Sequence, residues 1–230
     1  MKAFVPIILS LALVSCQSPE SDVGNNQTEA RSPVPQFTIP AGEYVVDPAH
    51  MNFSFTVTHL GLSDYVMRFT GVDATVMLNP EDVSESTLSV KIDPTTIKTD
   101  YPGDYRETHA SEPYASWDED LAMNPKFLNA GEFKEITFRS TNIEKTGDAT
   151  ARITGDLTLL GQTHPVTMDA TLTGLREAHP MTQRPVFGIR ATGSFKRSEF
   201  GMTHLVGPAL ISDEVQFLFN GEFGPPVPAQ

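Results

Sequence analysis

The sequence predicts an all-β, antiparallel fold of about eight or nine strands, and three observations support this. Apolar residues recur with a period of two over much of the chain, with Phe, Val, Ile and Thr enriched. Short turns carrying glycine separate successive runs, as at Leu60-Gly61-Leu62-Ser63, Lys145-Thr146-Gly147-Asp148 and Leu160-Gly161-Gln162-Thr163. Helical stripes are scarce, and the only candidate for one lies in an interruption at residues 99–131.

Taken in order, the first extended stretch covers residues 44–47. The second places Met51, Phe53, Phe55, Val57 and His59 on one face and Asn52, Ser54, Thr56 and Thr58 on the other, the pattern of a half-buried strand. Residues 65–78 and 88–97 follow. Alternation returns at Ile136 and Phe138, at Ile153, Leu157 and Leu159, and at Val166, Met168, Ala170 and Leu172. It closes with Phe187, Ile189, Ala191 and Phe195, then Val215, Phe217 and Phe219. Tight connections between sequential strands imply a meander.

The interruption predicts a short helix over residues 116–123. Ser116 can cap its N-terminus, Asp118, Glu119 and Asp120 suit the first turn, and Asn124-Pro125 stops it. Periodicity alone fits either a sandwich or a barrel. The aromatics Phe53, Phe55, Phe69, Phe138, Phe187, Phe195, Phe217 and Phe219 all share the apolar face, and no layer of amphipathic helices is available to cover it. A barrel of about eight strands has room for packed side chains or for one small ligand.

Composition narrows the function. The chain has 230 residues, 39% of them hydrophobic, and a formal charge of -13. No basic run offers phosphates a footprint, so nucleic acid is not expected as a partner. The single cysteine, Cys16, excludes an internal disulfide, a cysteine-rich zinc site and an iron-sulfur cluster held by this chain alone. Lys2 precedes an apolar run at residues 3–14, too short to span a bilayer and of secretory length. It ends in Leu13-Val14-Ser15-Cys16, which resembles the bacterial lipobox. That resemblance implies a lipoprotein signal peptide at 1–15, lipidation of Cys16 and a membrane anchor. By resemblance to enterobacterial sorting, Gln17 in place of Asp points to the outer membrane, facing the periplasm. A polar, proline-containing flexible tether at 16–40 would carry one domain at 41–223, followed by a Pro-rich tail at 224–230.

Tyr44-Val45-Val46-Asp47-Pro48-Ala49-His50, Phe53-Ser54-Phe55 and His59-Leu60-Gly61-Leu62-Ser63 open a series of motifs. Phe133-Lys134-Glu135-Ile136-Thr137-Phe138-Arg139-Ser140-Thr141 and Gly155-Asp156-Leu157-Thr158-Leu159-Leu160-Gly161-Gln162-Thr163-His164-Pro165-Val166 continue it. Arg197-Ser198-Glu199-Phe200-Gly201 and Ser212-Asp213-Glu214-Val215 complete it. In this order they resemble the YceI family of polyisoprenoid-binding, lipocalin-like periplasmic proteins. The resemblance implies an antiparallel, eight-stranded, extended β-barrel with a short helical insertion at about 100–130. It also implies a lumen for an isoprenoid or other long-chain amphiphile, an envelope carrier or buffer with a stress-related role, and no cofactor beyond that ligand. The inward residues Phe53, Phe55, Val57, Phe138, Leu157, Met168, Phe187, Ile189 and Phe217 are then the expected lining, and a homodimer remains open.

His59 shares the parity of Phe53 and Phe55, so it is a candidate donor to a ligand head, or else a turn-capping residue bonded to backbone. His50 and His59 lie about 30 Å apart along one strand and cannot share a metal within it. His164, His179 and His204 fall in apparent loops without the spacing of a helix-borne site, so no metal is expected. Phosphate loops, dinucleotide fingerprints and nucleophile elbows are also missing from the sequence, which favours a binding protein over an enzyme. The alternative is an enzyme that uses the same pocket on a lipid amide or an isoprenoid pyrophosphate. A pyrophosphate would want cations, yet Arg139 and Arg190 have outward parity. Arg197-Ser198-Glu199 reads as a bulge or turn before the last strands.

Overall fold

The alternating segments form ten strands among the described residues, 38–227 of a computed structural model. Cys16, the leader and nearly all of the expected tether lie outside the described residues. The strands are β1 (Gly42–His59), β2 (Ser63–Phe69), β3 (Val72–Leu78), β4 (Thr87–Ile92), β5 (Ile97–Lys98), β6 (Ile136–Lys145), β7 (Thr150–Leu159), β8 (Gln162–Arg176), β9 (Val186–Lys196) and β10 (Glu214–Gly224). Eight of them close a ring in the order β1-β3-β4-β6-β7-β8-β9-β10, and β10 pairs back onto β1 with every contact antiparallel. The protein is therefore a closed eight-stranded antiparallel β-barrel. β2 continues the ring where β3 leaves β1, pairing with residues 53–59, and carries the short β5 on its far side.

Residues 65–78 divide at Thr70-Gly71 into β2 and β3, and two further expected strand limits change, each for a local reason. Residues 44–47 and 51–59 are one strand, interrupted by a register shift between Val46 and Met51. Within that bulge the Asp47 carboxylate accepts from the Ala49 N–H and pairs with His50 Nδ1, both at 2.8 Å. The extra residues move inward parity from Tyr44 and Val46 to Met51, Phe53 and Phe55. Residues 88–97, in contrast, break into β4 and β5. A 3₁₀ turn at Pro94–Thr96 separates them, and the Asp93 side chain caps it by accepting from the Thr95 N–H.

Turn chemistry sets the hairpins. Leu160 and Gly161 have φ of 51° and 71° between Leu159 and its partner Gln162, the two left-handed residues that a tight two-residue hairpin requires.

The insertion holds two short helices, α1 (Tyr105–Thr108) and α2 (Trp117–Met123). α2 forms where the capping pattern predicts. Ser116 Oγ accepts from the Glu119 N–H, three acids occupy the first turn, and Asn124 ends the helix. α1 was not expected; one turn is too short to show a period, and the Asp104 side chain starts it by accepting from the Arg106 N–H. The two are joined by a buried network in which Tyr105 Oη donates to Asp120 Oδ2 and Asn124 Nδ2 donates to Asp120 Oδ1, both at 2.7 Å. Burial, then the Asp120 hydrogen bond, pushes the Tyr105 hydroxyl above its ordinary pKa.

A second cluster lies toward the other end of the barrel wall, with Tyr44, Val46, Leu78, Leu172, Phe187 and Phe223. Ile39 belongs to it, at 2% exposure, so core packing begins before the expected end of the tether at 40.

Candidate functional site

The inward faces of the strands do not meet. They enclose a cavity of about 400 Å³ with an overwhelmingly apolar lining, inside the range of about 300–1,000 Å³ usual for ligand pockets. Phe53, Phe55, Val57, Leu157, Ile189, Phe217 and Phe219 stay only half-buried although they point inward, because their free surface faces this space. Small residues on the same faces make room for the rings. A Cβ on Gly193 would lie 2.6 Å from Phe217 Cζ, and one on Gly155 would lie 2.4 Å from Phe138 Cζ. Glycine inside a strand weakens it; here it leaves room for the tip of a phenyl ring against the wall.

Nine of the ten residues expected in the lumen line it: Phe53, Phe55, Val57, Phe138, Leu157, Met168, Phe187, Ile189 and Phe217. His59 is not among the lining residues. It is exposed, at the last position of β1, where the strand has run past the cavity into an isolated bridge with Ile211. Parity alone does not show where along a strand the lumen ends. Arg139 and Arg190 are exposed, as their parity requires.

One end of the cavity is covered by the insertion and by the 197–213 segment, which contribute Trp117, Leu121, Phe127, Leu128, Met202 and Ile211. Arg197 lies here. It is 3% exposed, and a reading of its segment as a simple turn missed its burial. Its guanidinium donates to four backbone carbonyls: Nε to Ser212 at 2.9 Å, Nη1 to His204 at 2.8 Å and Met202 at 3.4 Å, and Nη2 to Ile211 at 3.3 Å. Burial lowers its pKa, partly offset by the Asp213 carboxylate. Asp213 itself accepts from the N–H and hydroxyl of Ser198 at 2.9 and 2.7 Å. Arg197 therefore fastens the loop that closes this end.

At the other end the lining passes to exposed side chains, where the cavity meets solvent. Glu81 and Asp82 come from the β3–β4 connection, and Lys145 and Asp148 from the β6–β7 turn. Lys145 reaches the mouth because β6 shifts register between Ser140 and Asn142, which turns Ile143 and Lys145 inward.

The histidines are dispersed. His164 lies in β8, not in a loop, edge-on to Phe200, and His204 is edge-on to Phe127. His179 Nδ1 accepts from the N–H groups of Met181 and Thr182. Among the described residues, no three His, Cys, Asp or Glu side chains are grouped to hold a metal ion.

A closed antiparallel barrel wrapped around an apolar cavity defines a lipocalin-like architecture, a wall of strands around one lumen. Residues 44–223 match the family model described as the YceI-like domain. The chain is 32% identical over 184 residues to Protein YceI of Salmonella arizonae, covering 79% of this chain and 86% of that protein. The same values hold for Protein YceI of Salmonella paratyphi B. The chain belongs to the YceI family.

Solved structures share its fold. BcnA of Burkholderia cenocepacia superposes with a TM-score of 0.61 at 20% identity, over 77% of this chain and 98% of that one. A polyisoprenoid binding domain from Saccharophagus degradans, implicated in plant cell wall breakdown, gives 0.53 at 12% identity, over 81% of this chain and all (100%) of that domain.

Proposed function

We propose that this protein holds one long-chain amphiphile, an isoprenoid or a similar lipid, inside the barrel, and does so as a lipid-anchored binding protein of the bacterial envelope. The observation that carries the reading is the open apolar lumen of about 400 Å³ walled by phenylalanines. Each methylene moved from water into such a space gains about 0.8 kcal/mol, so a linear hydrocarbon binds well without any catalytic group. The polyisoprenoid binding of the Saccharophagus domain supports this choice of ligand. The Leu13-Val14-Ser15-Cys16 motif supports the anchor, and Gln17 after it supports an outer-membrane, periplasm-facing location. Binding without turnover is the simplest use of a lumen whose lining is almost wholly hydrocarbon.

Native mass spectrometry of the full chain purified from envelopes tests the ligand. A releasable hydrocarbon-rich adduct, recovered chemically unchanged after incubation, is expected. An empty protein that also takes up no prenyl lipid from vesicles refutes the reading. Replacing Cys16 with Ser should release the protein from membranes or leave it unprocessed. A processed Cys16→Ser protein that stays on membranes would overturn the anchor.

A further inference from the structure

The charged groups around the cavity constrain the head of the ligand. Among the described residues, five charged side chains line it: Glu81, Asp82, Lys145 and Asp148 at the open mouth, and Arg197 at the covered end. Arg197 has its donors directed at the carbonyls of Met202, His204, Ile211 and Ser212. An anion drawn to it would have to cross the whole apolar lumen and compete with those oxygens. The mouth sets three carboxylates against one ammonium. Phosphate and pyrophosphate groups are held by several cations or by the planar fork of arginine, and the mouth offers a single lysine.

From this we infer that the lumen selects amphiphiles with an uncharged polar head, such as an alcohol, amide or carbonyl, seated at the mouth beside Lys145 as hydrogen-bond donor, and rejects the corresponding phosphorylated lipids. The inference rests on the lumen-binding reading above and adds the head-group class to it. Net negative potential at the entrance repels a di- or trianion before its chain can enter. The acyl or prenyl tail takes the covered end, against Trp117 and Phe127.

Trp117 is the only tryptophan of the chain and lines the cavity, so its fluorescence reports occupancy. Full-length protein is titrated with farnesol and with farnesyl diphosphate, which share one chain and differ in the head. Farnesol should bind at least about ten-fold more tightly at low salt, with the gap narrowing as salt screens the mouth over about 10 Å. In a Glu81→Gln/Asp148→Asn protein the diphosphate should gain several-fold, whereas Lys145→Met, which removes the donor, should weaken farnesol. Equal or tighter binding of the diphosphate by the unaltered protein overturns the head-group inference and leaves the lumen reading standing. Binding of neither compound, nor of longer prenyl alcohols, defeats both.

Discussion

The rings of Phe53 on β1 and Phe217 on β10 meet diagonally across the seam that closes the barrel, with centroids 6.2 Å apart. Phe217 lies where it does because Gly193, its partner on β9, has no side chain. A methyl at Gly193 would also lie 2.8 Å from the Thr167 carbonyl oxygen, an atom of the sheet that cannot step aside. Gly193→Ala should therefore cost about 1–3 kcal/mol of stability, the usual price of overpacking, and push the Phe217 ring into the lumen. Denaturant unfolding and prenyl alcohol titration should show both losses together. A Gly193→Ala protein of native stability would show that the ring is not held by the missing side chain.

Arg197 gives the second prediction. Arg197→Met keeps much of the volume but leaves the carbonyls of Met202, His204 and Ser212 without the guanidinium donor, whereas the Ile211 carbonyl still accepts from the Gly207 N–H. Buried carbonyls deprived of partners cost about 1–3 kcal/mol each; allowing for local rehydration, a total of about 3 kcal/mol is expected. Arg197→Lys should restore less than half, since an ammonium cannot span four acceptors with the geometry of a guanidinium. Hydrogen exchange over 202–213 localises the effect. A uniform rise in exchange over the whole barrel would count against a role confined to this loop.

Much of the wall was legible in the sequence because a strand's period is two and the core is on one side only. That rule places Phe53, Phe138, Met168 and Ile189 correctly. It fails wherever the register shifts. Strict alternation from Ile136 turns Glu144 inward, whereas the bulge after Ser140 brings Lys145 to the mouth instead. His59 fails for another reason, since parity says nothing about where the lumen stops. In the sequence Arg197 reads only as part of a turn, because its partners are carbonyls of a loop that folds back in three dimensions and backbone acceptors leave no mark in a sequence. Ser116, by contrast, was legible as a cap because its partner lies three residues away.

Acidity should loosen the insertion first. The Asp118 carboxylate of α2 accepts from the Thr99 N–H at 2.8 Å and its hydroxyl at 2.7 Å, and pairs with Lys98 at 3.2 Å. Burial alone would raise its pKa, but these donors outweigh burial and hold it below the ordinary value. A group whose folded pKa is lowered contributes stability above its unfolded value, about 3.9, and loses it as pH falls through the folded value. The thermal midpoint should thus decline below about pH 4, and Asp118→Asn, less stable at pH 7, should decline less. Parallel declines in the two proteins would assign the acid transition to other carboxylates.

Leu60 and Leu205 share an unusual backbone: each has φ of 55°, and each is more than two-fifths exposed, at 43% and 42%. Left-handed backbone costs a leucine roughly 1–2 kcal/mol, a cost that asparagine largely avoids. The interactions that hold these positions come from the main chain. The Leu60 N–H donates to the Leu210 carbonyl, and the Leu205 carbonyl accepts from the Ile211 N–H. Asparagine keeps both bonds and gives up only partly exposed side chains. Leu60→Asn and Leu205→Asn should each raise stability by about 0.5–1 kcal/mol, with an unchanged denaturant slope. Near-additivity in the double variant is expected if the two sites are independent. A loss of stability in either single variant would show that the leucine side chain makes contacts worth more than the backbone strain.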